Sequence, residues 1–534
     1  MAQATENTNQ VRWLVVGPVT PTPSGKTFSL TRNNFMEWLE SRNVSCDVDL
    51  AQNLGERGAE PATLKVEKLS ALTLKGVTSA VPVLSKLLQL AGDVKDEEQA
   101  IKTVEELVGA GALTKRIAEA TGLDAPKQEG SWAEADPAAS VFEAAEMPKP
   151  KSMASSAIDA FVRTARSTSG TTRRSKSARK VRDVIEEAVY AAARIAFDAS
   201  AVQQLESSLR GLKFFTDQCP EKSGMVVEVL DVPLADVAET LKSRERGDLV
   251  DEPDALFVPH AVQDLEQLKA LGELGEELLC PVIVEVSPQL FGKDDMAGML
   301  LALEDVEPGK AEPEWLALRQ EESSRWLCCV ANPVVLFDEG SGVAKRHVTG
   351  SGVWALGAAM AKSYAEVGSF ARIIGRPGSI NAPGAKILDE GRYEGTSAPT
   401  EIFIPIRGQT TMAKHGIVAV GSSRNSATVV FAETPMARAS SDAVPLPAQL
   451  LTGRIVRFAQ WVRDQLPSDA DGEMARSVFQ EAAKVFLFPG MTDFGEVMAN
   501  IVEEDGVREL RVYAQVAPAL AGIPFEIGFP LPLD

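Results

Sequence analysis

Between Met225 and Phe337 the chain repeats one alternation, a short apolar run of strand length followed by a stretch with helical spacing. The runs are Met225–Leu230, Ala255–Val258, Val282–Val286 and Val334–Phe337, and Val262–Leu278 is one of the helical stretches between them. Strand–helix alternation with continuously apolar strands argues for a mostly parallel sheet covered on both faces. This restricts the chain to an α/β, multi-layer architecture with mostly covered, mixed sheets.

The same reading extends to both ends. Near the start, Val11–Gly17 (VRWLVVG) is a strand closed by a Gly/Pro-rich turn, Thr31 or Asn33 can cap a helix around Phe35–Leu39, and Ala62–Lys68 alternates like a strand. Val77–Leu90 has apolar residues at helical spacing, and Ile101–Ile117 continues as a helix broken at Gly109–Gly111. Asp124 to about Arg182 is rich in Ala, Ser, Pro and Thr and reads as a linker. It is interrupted by one amphipathic stretch, Ser156–Arg166, and ends in a run, Arg163–Arg182, with eight basic residues and no acidic one. A helix is expected over Val184–Leu209, a Gly/Ala-rich helix over Ser351–Gly368, and further helices over Leu450–Gln465 and Met474–Phe486. Strands are expected at Thr400–Ile406, Val418–Val420, Thr428–Phe431, Glu509–Val516 and Pro524–Phe529. The division that results is 1–123, a linker at 124–182, and 183–534.

Charge excludes some functions. With 534 residues and a net charge of -21, the chain lacks the cationic surface that displaces counterions from nucleic acid. The basic run carries no aromatic residue between Arg163 and Arg182 on which a base could stack. No apolar run reaches the roughly 18–20 residues of a membrane span, so no membrane insertion is expected. Met1–Gln10 has neither the basic nor the apolar region of a secretory signal, and the five cysteines form no CxxC pair, which points to a reducing, cytoplasmic setting.

The chemistry-bearing motifs do not hold together. Gly17–Thr27 (GPVTPTPSGKT) follows a strand and ends in Gly-Lys-Thr, but Thr20 stands where a phosphate-binding loop needs its first glycine. Three prolines remove amide donors, and Phe28-Ser29-Leu30 looks extended where a helix should open. A turn is expected there. His260, His347 and His415 lie in separate segments without metal-ligand spacing, and Cys328–Cys329 sits in an apolar run suited to a buried strand. Gly350-Ser351-Gly352, ending at Gly357, suits a helix start or close packing. No catalytic residue, cofactor site or metal site is therefore assigned, and no enzyme activity is expected.

Several segments, in order, resemble the contractile sheath of type VI secretion systems, with its small (TssB-like) and large (TssC-like) subunits fused in one chain. VRWLVVG, then TFSLTRNNFMEWLE with Asn33-Asn34-Phe35, then ATLKVEKLSALTLKGVTSAVPVLSKLLQL resemble the small subunit. Gln203–Phe215 (QQLESSLRGLKFF) resembles a large-subunit signature, with Leu209 where the family has Trp. Glu312–Phe337 resembles another, with Trp315, Arg319, Glu322 and Pro333 in register, and Val353–Gly375 and the TEIFIP and GIVAVGSSRNSATVVFAETP segments resemble further ones. Only polar Met1–Gln10 precede VRWLVVG, so the additional exchange strand of the family's small subunit is expected to be absent.

The resemblance implies sheath-type domains, a homo-oligomeric helical sheath, and an inner tube protein (Hcp-like) and baseplate components as partners. It also implies an unfoldase ATPase (ClpV-like) acting on a short helix near the large subunit's start, which Ser156–Arg166 resembles, with Ile158, Phe161 and Val162 on its apolar face. That stretch can equally dock on its own domain. A sheath needs contacts that do not close on themselves and tethers that survive rotation, and strand addition supplies such tethers. Arg511, Val512, Tyr513, Val516, Phe525, Ile527 and Phe529 are the candidate exchange-strand residues; edge strands of their own domain are the equal alternative. A sheath-like accessory or cap, or a phage-tail-type sheath, is the second functional reading, and an α/β enzyme with an unrecognised site the third.

Overall fold

The computed structural model describes residues 10–48, 54–55, 62–94, 96–121, 173–244, 252–488, 491, 493–504 and 507–533. The unfoldase-type stretch, with Ile158, Phe161 and Val162, lies outside the described residues. Two compact units are assembled from separate pieces of chain. One comprises Met1–Trp38, Ser207–Phe337 and His347–Asp534, and the other comprises Leu39–Glu206 and Asp338–Arg346.

The first unit is built on a seven-stranded sheet. Its strands are β1 (Val11–Gly17), β2 (Thr27–Leu30), β3 (Met225–Asp231), β4 (Ala255–Val262), β5 (Val282–Val286), β6 (Leu327–Ala331) and β7 (Ile417–Ala419). They lie in the order β7-β6-β5-β4-β1-β3-β2. All neighbours are parallel except β2, which runs antiparallel to β3. The expected class, a mixed α/β fold with a mostly parallel sheet, is what forms. Every residue of β5 and β6 is buried, as continuous apolar runs require. Cys328 and Cys329 are therefore core residues on opposite faces of β6, and burial raises the Cys329 thiol to about 12, far from a reactive thiolate.

β1 sits in the middle of this sheet, pairing Val11–Gly17 with Met225–Asp231 on one side and Trp13–Val15 with Ala255–Phe257 on the other. Its Trp13 stacks on Phe215 at 5.4 Å, and Phe215 in turn meets Phe257 and Trp354. Trp354 lies on the helix Gly352–Val367, which is buried from its start through Ala361. Two glycines permit this approach: a Cβ on Gly211 would lie 2.1 Å from Trp354 Nε1, and one on Gly357 would lie 2.6 Å from Phe215.

The second unit is mostly helical, with a hairpin of Ser45–Val48 and Ala62–Lys65. Helix Leu74–Ala80 stops at Val81 and a new one runs Pro82–Asp93, so the single helix expected over Val77–Leu90 is two. Proline lacks the N–H and fits the first position of a fresh helix. The expected break at Gly109 occurs, with φ +80° between helices Glu97–Val108 and Ala112–Thr121. Helix Arg173–Ile195 begins inside the basic run, so the last part of the expected linker is helical. A second helix, Ser200–Asp217, follows it where one was expected over Val184–Leu209. A buried Arg346 organises this unit. It donates to Glu206 at 2.7 and 3.1 Å, to Glu339 at 2.8 Å and to Leu72 C=O at 3.0 Å, and it lies over the Phe197 ring.

The first unit also carries a second sheet, an antiparallel meander of β8 (Gly495–Glu504), β9 (Val507–Val516) and β10 (Phe525–Pro532) with β9 in the centre. Helices Leu446–Gln465 and Gly472–Ala482 supply apolar side chains to the core beneath it. β8 follows the last helical segment without having announced itself in sequence. Thr400–Ile406 is not a strand: Thr400 makes one isolated bridge to Val334, and Pro405 leads into the helix Ile406–Lys414.

Candidate assembly surface

The segment that mimics a phosphate loop folds around an anion of its own. Asp231, 1% exposed at the end of β3, accepts from the Val19 amide at 2.9 Å, the Thr20 amide at 3.2 Å, the Thr20 hydroxyl at 2.7 Å and the Ser24 amide at 3.2 Å. Gly25 N–H donates to the Asp231 C=O at 2.8 Å. The donors that a phosphate would need are thus taken by an internal carboxylate, and Phe28 continues into β2 instead of a helix. His260 lies under this loop, where a Cβ on Gly17 would meet its ring at 2.7 Å, and burial lowers it to about 4.

Other buried polar groups tie elements together in the same way. Glu285, inside β5, accepts from the Ser351 hydroxyl and the Gly352 amide, both at 2.8 Å, and so caps the central helix Gly352–Val367. Its complete burial raises its carboxyl to about 8. Gly350-Ser351-Gly352 is that helix start. Asp254 accepts from the Arg12 amide at 3.0 Å and from Arg457. Trp315 donates to His415 C=O at 3.1 Å, and Arg319 to Ala437 C=O at 2.8 Å and Lys414 C=O at 3.1 Å, so both signature residues hold the scaffold. Among the described residues no three His, Cys, Asp or Glu side chains gather as metal ligands, and no helix is long and apolar enough to cross a membrane.

The candidate exchange-strand residues come together on the C-terminal sheet. Arg511, Val512, Tyr513 and Val516 lie on β9, the central strand, and Phe525, Ile527 and Phe529 on β10. Within this chain they pair with one another, Tyr513 opposite Gly528, Val512 opposite Phe529, Ala514 opposite Ile527 and Val516 opposite Phe525. Alternation divides them. Val512, Val516 and Phe525 are buried in the core, with Ile527 and Phe529 packed against it, whereas Arg511 and Tyr513 stand on the outer face. Glu496, Gln515 and Glu526 form one row across that face, and Gln515 donates to Glu526 at 2.7 Å. An exposed face of this kind, carrying mixed charge and an aromatic ring, is suited to contact with another protein surface.

Residues 254–438 match the VipB family, described as EvpB/VC_A0108, tail sheath N-terminal domain. This span contains β4 to β7 and the Gly352–Val367 helix. No curated protein matches the chain. Among solved structures, the anti-feeding prophage (AFP) helical sheath in its contracted state is 12% identical, over 55% of this chain and 71% of that one, with a TM-score of 0.33. The contracted PVC sheath complex of an extracellular contractile injection system is 9% identical over 60% and 76%, with a TM-score of 0.36. The 6-fold symmetrised AFP baseplate is 10% identical over 52% and 62%, with a TM-score of 0.28. The weight rests on the family match, which makes the 254–438 segment similar to a tail sheath N-terminal domain and supports a structural sheath subunit as the role of the chain.

Proposed function

We propose that this chain is a structural subunit of a contractile injection-system sheath, polymerising helically around an inner tube and contracting to propel it. The observation that carries the reading is the tail-sheath match over residues 254–438. The carboxylate-filled loop at Asp231 supports it, since the stroke of such a spring consumes no nucleotide. In this reading 1–123 and 183–534 are small and large subunit regions fused through 124–182. The placement of β1 between β3 and β4 supports such a fusion, because the covalent link delivers in one chain a strand that separate subunits would have to share. The exposed face of β9 and β10 is a contact between copies, and the C-terminal strands are the exchanged elements. Partners are further copies, an Hcp-like tube protein, baseplate components and a ClpV-like unfoldase reading Ile158, Phe161 and Val162, all in the cytoplasm. Contraction is a shift between two packings of the same interfaces. Electron microscopy of the purified full chain, alone and with its tube protein, is expected to show hollow tubes. Monodisperse particles under both conditions would overturn the proposal.

A further inference from the structure

The helices on one face of the seven-stranded sheet form a layer that shares a single core with it. Helix Val237–Ser243 lies against helix Leu265–Leu278, which lies against helix Pro313–Gln320. Helix Met296–Glu304 lies against helix Ile406–Lys414, which covers the edge strand β7. Two features of this layer have no use inside the chain.

The first is a groove of about 300 Å³ between Val237–Ser243 and Leu265–Leu278. Its lining is small and apolar, Ala235, Ala238 and Ala270 with Leu234 and Leu271, and the Gln267 amide spans the two sides by donating to Leu234 C=O at 3.0 Å. Where three alanines meet, close packing is left incomplete. The surroundings are acidic. Asp236, Glu239, Asp264 and Glu266 are all exposed, whereas the lysines of the two helices, Lys242 and Lys269, are paired with Glu273 and Glu321.

The second is a projection. Ile406, 69% exposed, and Leu301, 60% exposed, are the two most exposed large apolar side chains among the described residues, and they sit on the packed pair Ile406–Lys414 and Met296–Glu304. That pair is close: a Cβ on Gly408 would lie 3.0 Å from Ile404 and 3.4 Å from Leu300, so the projection has a firm base. Ile406 opens its helix, and Arg407 beside it is exposed and makes no ion pair among the described residues.

An apolar knob next to a cation and an alanine-lined groove next to carboxylates are complementary in shape and in sign. The groove belongs to helices that flank β4 in sequence. The knob belongs to one that covers β7, three strands away at about 4.8 Å per strand. Knob and groove are therefore separate patches, and their contact is heterologous: each docking leaves one knob and one groove free.

We propose that Ile406 of one chain docks in the Ala235–Ala238–Ala270 groove of a second copy, with Arg407 set against the carboxylates around it, in an open-ended contact. This deepens the sheath reading by giving the covering helices a contact of their own. Its place in a tube rests on that reading, but the contact itself does not.

The test uses full chains carrying Arg407→Cys or Glu239→Cys, exposed positions that leave knob and groove intact, and all five native cysteines are buried. Oxidation of the two chains mixed is expected to give a mixed disulfide, read as a doubled mass on a non-reducing gel, at least tenfold above either chain alone. Adding Ile406→Asp to the Arg407→Cys chain is expected to lower that yield at least tenfold. One chain carrying both cysteines is expected to give a ladder of higher multiples, as an open contact requires. Absence of the mixed species, an equal yield from either chain alone, a yield indifferent to Ile406→Asp, or a double-cysteine chain without a ladder would overturn the inference. Electron micrographs of the wild-type chain separate the two readings. Tubes without cross-links leave the sheath reading and remove this contact, whereas cross-links without tubes keep the contact and count against the sheath.

Discussion

The seven-stranded sheet and the C-terminal sheet of the first unit solve opposite problems. In the parallel sheet, β5 and β6 are buried at every position, and the buried carboxylates Asp231 and Glu285 are each held by donors from neighbouring segments. In the C-terminal sheet β9 alternates strictly, Val512, Ala514 and Val516 inward and Arg511, Tyr513 and Gln515 outward. A sheet covered on both faces specifies the fold and has nothing left to offer a partner. One covered on a single face keeps a surface. In the proposed sheath role, and between these two sheets, contact with other copies would fall to the C-terminal sheet, and stability chiefly to the parallel one.

The largest test of that division is removal of residues 507–534, which deletes β9 and β10. Tubes are expected to vanish in micrographs while the parallel sheet keeps a cooperative thermal transition. Retained tubes would break the comparison. Next in size is Asp231→Ala, which orphans the buried amides of the loop and is expected to cost about 3 kcal/mol in a urea titration, with assembly lost only as far as folding is lost. Glu285 gives a smaller, pH-dependent effect. Its folded carboxyl titrates at about 8, above the ordinary value of 4.5, so the folded chain binds more protons between those limits, and stability from this group falls as pH rises through that window. Glu285→Gln keeps a neutral acceptor for Gly352, and is expected to flatten the decline in melting temperature between pH 5 and about 8. The smallest effect is Tyr513→Phe, which removes one exposed hydrogen bond to Glu526 and is expected to leave the urea midpoint of the monomer unchanged. A larger loss in tube yield would sharpen the assignment of that face to contacts between copies.

How far these features can be read in advance depends on how local their cause is. β3, β4 and β5 are visible as apolar runs because burial on both faces leaves its mark residue by residue. The turn at 17–27 is visible because its prolines disqualify it as a phosphate cradle. The carboxylate inside it is not, since Asp231 arrives from more than two hundred positions along the chain. The Thr400–Ile406 error has a local cause: apolar composition suggests a strand, but Pro405 cannot donate to a ladder and suits a helix start. β8 escapes notice because GEVMANIVEE mixes Glu and Asn into its alternation, and only pairing with β9 makes it a strand. The residues of the candidate surface are legible as β-formers. That β9 would be central and β10 outermost is a matter of non-local pairing.

The position of β1 has a consequence for biosynthesis. This strand leaves the ribosome well before its two neighbours in the sheet, which begin at Met225 and Ala255. At about 5–20 residues per second, the nascent VRWLVVG segment waits on the order of ten seconds or more before either flank exists. Through that interval it is an unpaired, aggregation-prone ribbon, and shielding by a chaperone during translation is what a strand in this location calls for.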